Sequence, residues 1–104
     1  MKTIVIYTTF PDLKTAKKII RGLIKNRLAA CGNLFRISSI FTWKGKVKDI
    51  PEYGTLIKTV RKNYPRVEKY IRENHPYEVP EIICWNIGRG AKTYLDWIRK
   101  ETKQ

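Results

Sequence analysis

The feature that most restricts what this chain can fold into is the stretch from Gly32 to Val60, which reads as two long strands joined by a tight turn. Phe35, Ile37, Phe41 and Trp43 point one way and Leu34, Arg36, Ser38, Ile40 and Thr42 the other, the two-residue period of a β-strand. That strand covers about ten residues, against the ~5 or 6 of an ordinary one. Lys44-Gly45 supplies the flexible residue of a tight hairpin, and a second extended run from Glu52 to Val60 returns antiparallel. Between them Asp49-Ile50-Pro51 predicts a bulge or a free edge, because proline cannot donate to a central ladder. A chain of 104 residues forms one domain, residues 1–104, with one modest core. So long a ribbon overhangs such a domain, and its edges and aromatics must be covered; pairing with other subunits is one way to do it.

The remaining elements follow from periodicity. Ile4, Val5, Ile6 and Tyr7 form an unbroken apolar run, so Thr3 to Thr9 reads as a central strand covered on both faces. Asp12 caps a helix in which Leu13, Ala16, Ile19, Ile20, Leu23, Ile24 and Leu28 keep helical spacing, while Lys14, Lys17, Lys18, Arg21 and Lys25 take the outer face. Asn63-Tyr64-Pro65 starts a second helix that stops before His75-Pro76. Glu81 to Ile87 is a short apolar strand, and Ala91, Tyr94, Leu95 and Ile98 define a final helix. The order is β-α-β-β-α-β plus a C-terminal helix: an α+β chain with an antiparallel sheet in the ferredoxin-like split βαβ arrangement.

Polar chemistry concentrates in His75-Pro76-Tyr77-Glu78-Val79-Pro80-Glu81, which holds the only histidine, three further polar side chains and two prolines that keep the segment extended. It lies at a helix-to-strand corner, where rigid elements anchor a loop. Lys58, among Leu56, Ile57 and Val60, needs a carboxylate or an anionic ligand if buried. Cys31 and Cys84 are too few for a disulfide framework, so reduced thiols are expected. Cys84, between Ile83 and Trp85, reads as core.

The chain carries 22 Lys and Arg against 9 Asp and Glu, a net charge of +13. No block of like charge marks a nucleic-acid arm, and clustering rather than total charge makes a binding footprint. Nucleic acid is therefore not an expected partner, although an RNA recognition motif shares the strand and helix order; its aromatic signatures are missing around Tyr7 and Tyr53. No apolar run approaches the ~18 to 20 residues of a membrane helix, and a cytoplasmic location with no membrane partner is expected. No catalytic triad, phosphate-cradling glycine loop or placed carboxylate pair favours an enzyme.

Five stretches occur in order that together resemble the CutA divalent-cation-tolerance family: Leu28-Ala29-Ala30-Cys31-Gly32-Asn33-Leu34; Trp43-Lys44-Gly45-Lys46-Val47; Glu52 followed by Leu56-Ile57-Lys58-Thr59; His75 to Ile83; and Tyr94-Leu95-Asp96-Trp97-Ile98. The resemblance implies a ferredoxin-like subunit, a homotrimer assembled through the long strands, a role in tolerance to divalent metals with copper binding, and architectural similarity to PII signalling trimers. It implies no required cofactor and no established reaction. The family's copper-ligand positions read Thr8, Asn74 and His75 here, so one of three ligands is kept. His75 and Cys31 are the metal candidates, both suited to copper or zinc. A packing role for Cys31 and a helix-ending role for His75 stand beside that reading. The alternative function is a PII-like trimer binding a small anion in subunit clefts, with Glu52, Lys58, Tyr77 and Glu78 as cleft candidates.

Overall fold

The structure, a computed structural model, describes residues 1–103. Strand β1 (Thr3–Phe10) leads into α1 (Leu13–Lys25), then β2 (Cys31–Trp43) and β3 (Lys46–Val60). A single 3-10 turn (Arg61–Asn63) precedes α2 (Tyr64–Asn74), followed by β4 (Ile82–Asn86) and α3 (Lys92–Glu101). The chain is thus α+β, with one four-stranded sheet in the order β2-β3-β1-β4 and every neighbouring pair antiparallel.

Strand alternation divides the residues between two faces. Ile4, Ile6 and Phe10 of β1, with Ile57 of β3 paired to Ile6, bury one face against Ala16, Ile19, Ile20 and Leu23 of α1 and Val67 and Ile71 of α2. A smaller cluster of Ala30, Val60 and Ile98 fastens α3 to the other face. Much of that second face is bare: Phe35, Ile83 and Trp85 are 40%, 50% and 48% exposed. Single exposed apolar residues are ordinary, whereas a contiguous patch marks an interaction surface.

α1 begins as its sequence directs, with the Asp12 carboxylate accepting from the Thr15 N–H at 2.7 Å. Its end differs from the expected Leu28. Arg27 takes a left-handed backbone, φ 58°, and the Leu28 and Arg27 N–H groups bond the Leu23 and Ile24 carbonyls, a Schellman closure. Leu28 still reaches the core, which is why helical spacing extends to it. The Arg27 guanidinium, released from the helix, donates to the carbonyls of Lys100 and Lys103 at the end of α3.

The hairpin is longer than its sequence indicates. β2 has 13 residues and β3 has 15, and the register runs without a bulge from Cys31↔Lys58 to Trp43↔Lys46. Lys44 and Gly45 both have positive φ, 52° and 78°, the type I′ turn that matches strand twist. Pro51 sits opposite Ser38 without a bulge, because β1 has already ended at the Phe10↔Tyr53 pair and leaves β3 a free edge there. Beyond that pair the ribbon is two-stranded, a form marginal in water by itself. β2 alone, at ~3.3 Å per residue, is about as long as the molecule's 44 Å longest dimension.

β4 forms the opposite edge of the sheet and is half-exposed, so Cys84 is exposed and not part of the core. Among the described residues, no helix is long and apolar enough to cross a membrane.

Candidate functional site

The helix-to-strand corner is built around His75. α2 ends there, with the His75 N–H donating to the Ile71 carbonyl at 2.8 Å and the backbone turning extended ahead of Pro76. The imidazole lies buried, stacked on Phe10 at 4.8 Å and tilted against Tyr77 at 4.8 Å. Nε2 lies 2.7 Å from the Thr9 carbonyl, which can only accept, so this nitrogen carries the proton. Nδ1 accepts the Tyr77 N–H at 3.0 Å. Both ring nitrogens are therefore used and the ring is neutral. Burial lowers its pKa below 6.5, with the Thr9 bond and the Glu52 charge pulling weakly the other way.

Tyr77 carries the network to the sheet. Its hydroxyl donates to the Glu52 carboxylate at 2.6 Å, and Glu52 is only 4% exposed on β3. Burial first, and that bond second, push the Tyr77 phenol well above its ordinary range. Glu78 is exposed and lines an open groove of about 410 Å³ with Phe41, Trp43, Lys48, Ile50 and Val79, between the hairpin overhang and the loop. His75, Tyr77, Glu52 and Glu78 thus gather at one end of the sheet.

Lys58 and Cys31 do not join them. They are paired with each other across β3 and β2, and Lys58 is six residues from Glu52 along β3, about 20 Å at ~3.3 Å per residue. The Lys58 ammonium donates to the Asn33 side-chain carbonyl on the bare face, with Leu56 O at 3.4 Å. Cys31 Sγ lies 3.2 Å from the Tyr94 hydroxyl of α3, and Tyr94, raised to about 12 by burial and by that bond, stacks on Trp97.

One chain does not bring the metal candidates together. Cys31 and His75 lie at different ends of the sheet, and among the described residues no three His, Cys, Asp or Glu side chains come together in a group that could hold an ion. The family's copper positions do not fit a metal here either. Among the described residues Thr8 Oγ1 is buried without a partner, Asn74 donates to the Tyr70 carbonyl at 2.8 Å, and His75 can ligate only by giving up one of its two bonds. The sequence reading missed Asn33 as the partner of Lys58 and Tyr94 as the partner of Cys31. Strand alternation alone places Asn33 on the face of Lys58 only once the β2–β3 register is known.

Comparison with known proteins gives a consistent outcome. The family profile described as CutA1 divalent ion tolerance protein matches residues 4–101. A divalent-cation tolerance protein CutA of Pyrococcus horikoshii is 39% identical over 101 residues, covering 97% of this chain and 99% of that protein. A human protein CutA is 41% identical over 98 residues, covering 93% of this chain, which spans 55% of the human protein's length. Among solved structures, a CutA1 from Oryza sativa superposes with a TM-score of 0.96 at 33% identity, covering 100% of this chain and 96% of that one. A protein from Archaeoglobus fulgidus, described as a periplasmic divalent cation tolerance protein CutA, superposes at 0.95 with 36% identity, covering 97% and 99%.

Proposed function

The chain belongs to the CutA1 divalent ion tolerance family, and from that premise we propose that it acts in tolerance to divalent metals as a non-catalytic homotrimer of ferredoxin-like subunits. The family match over residues 4–101 carries the reading. The assembly is supported by the bare apolar face around Phe35, Ile83 and Trp85 and by a hairpin too long for one subunit to cover. Divalent cations, copper among them, are taken up where subunits meet. Cys31 Sγ is the soft donor there, and groups of neighbouring copies complete the ~4 ligands a first-row metal usually takes. His75 holds the corner rigid and is not a ligand in this reading. The protein works in the cytoplasm, where thiols stay reduced.

Calorimetric titration of Zn(II) and Cu(II) into wild type, Cys31→Ser and His75→Gln tests the assignment. Affinity should fall in Cys31→Ser and persist in His75→Gln; equal affinities in wild type and Cys31→Ser would remove the thiol from the site. No specific observation favours the PII-like alternative, since the Lys58 ammonium is engaged by Asn33.

A further inference from the structure

The positive charge that is dispersed along the sequence is gathered by the fold. No Asp or Glu occurs between Asp12 and Asp49, and α1 falls inside that interval. The apolar sides of α1 and α2 are both turned into the same face of the sheet, so their polar sides make one outer surface. Lys14, Lys17, Lys18, Arg21 and Lys25 are all exposed on α1, opposite Ala16, Ile19, Ile20 and Leu23. Among the described residues, none of those five enters a salt bridge. Arg61, Lys62, Arg66, Lys69 and Arg72 add exposed cations from the 3-10 turn and α2. The carboxylates nearby are few and partly committed: Asp12 caps α1, Glu68 pairs with Arg72 at 3.5 Å, and Glu73 is exposed.

We propose that the outer faces of α1 and α2 form an interaction surface for the phosphate backbone of a double-stranded nucleic acid, bound without regard to base sequence. Lys14, Lys18, Arg21 and Lys25 recur at spacings of four, three and four residues and make a rigid row about 16 Å long at ~1.5 Å per residue. Successive phosphates of one strand follow at ~3.4 Å along a duplex axis, so the row spans several of them. Between α1 and α2, Thr15, Lys18, Tyr70 and Asn74 line a cleft of about 200 Å³, wide enough to seat one phosphate. An anionic membrane is the weaker match. A helix lying on lipid sinks its apolar side into the interface, and here those sides form the core, leaving only Leu13 and Ile24 exposed at the two ends of α1. The surface is opposite the bare sheet face, so it stays outside whether or not the subunits assemble.

Fluorescence anisotropy of a labelled 24-base-pair duplex of mixed sequence, titrated with the full chain between 50 and 200 mM salt, tests the proposal. Four phosphate contacts give a slope of log K against log salt of about −3.6, roughly a 150-fold loss of affinity across that range. The quadruple variant Lys14→Gln, Lys18→Gln, Arg21→Gln, Lys25→Gln should lose that binding while keeping its helical circular dichroism. Lys14→Arg, Lys18→Arg, Lys25→Arg should retain it, as should Lys44→Gln, Lys46→Gln, Lys48→Gln at the hairpin tip. No binding at 50 mM salt, binding untouched by the quadruple variant, or binding to phosphatidylserine vesicles in place of the duplex would each overturn it.

Discussion

Lowering the pH from 7.5 to 5.5 should destabilise this protein through one residue. His75 is the only histidine in the chain, and histidine is the side chain whose unperturbed charge change falls in that range. Folded, its ring is neutral: Nε2–H donates to the Thr9 carbonyl and Nδ1 accepts the Tyr77 N–H. A proton on Nδ1 would leave two N–H groups facing each other in a buried place. The folded pKa is accordingly lowered, chiefly by burial, below the ~6.5 of the unfolded chain. Well above pH 6.5 both states are neutral at this residue and nothing is lost. As pH falls through 6.5 the unfolded chain takes up a proton that the folded chain refuses. Stability then declines by up to about 1.4 kcal/mol per pH unit, levelling off once the folded ring itself protonates. For a ring that stays neutral throughout, the loss between pH 7.5 and 5.5 is about 1.4 kcal/mol per chain, or ~0.7 M in the urea midpoint for an m-value of ~2 kcal/mol/M. Urea denaturation followed by circular dichroism at pH 7.5, 6.5 and 5.5 measures it. His75→Gln should be less stable at pH 7.5 and nearly flat across the series. A flat wild-type profile, or a slope that survives His75→Gln, would refute the neutral-ring geometry.

Tyr77→Phe leaves the buried Glu52 carboxyl without its hydroxyl donor and should cost about 1–3 kcal/mol in urea denaturation, most of it regained in Tyr77→Phe/Glu52→Met, where neither polar group remains. Gly45→Ala at φ 78° meets no neighbouring atom, so its expected cost of about 1 kcal/mol is conformational and should shrink in Gly45→Asn. Tyr64 and Tyr94 have phenols raised to about 12, and Tyr77 is raised as well, so absorbance at alkaline pH up to 11 should show fewer phenolates in native than in denatured protein.

The sequence carried the element order because each element announces itself locally: the apolar run of β1, the capped amphipathic α1, the period of two in β2. Two boundaries escaped for physical reasons. α1 ends in a left-handed residue that is an arginine, Arg27, so no glycine signals the stop. The first half of β3 was obscured by Asp49-Ile50-Pro51, residues that disfavour strands yet are tolerated where β1 has ended and one edge is free. β4 was legible as a strand, but its apolar residues suggested burial that one chain does not provide.

The candidate residues were legible as types more than as a constellation. His75, Tyr77 and Glu52 meet because the loop after α2 crosses the middle of β3, where β1 has just ended, a contact between segments 25 residues apart. Lys58 and Cys31 lie elsewhere because of hairpin register. Their real partners, Asn33 and Tyr94, carry no local pattern that would single them out. The histidine that looked most like a ligand instead spends both nitrogens holding the corner together.

The most direct measurement is the mass of the purified protein in solution at low micromolar concentration, by light scattering or native mass spectrometry. Three times the 12.3 kDa chain mass is the expected result, because the two-stranded overhang and the face carrying Phe35, Ile83 and Trp85 need other copies to cover them. A stable species of one chain mass would contradict the assembly and the shared metal site built on it.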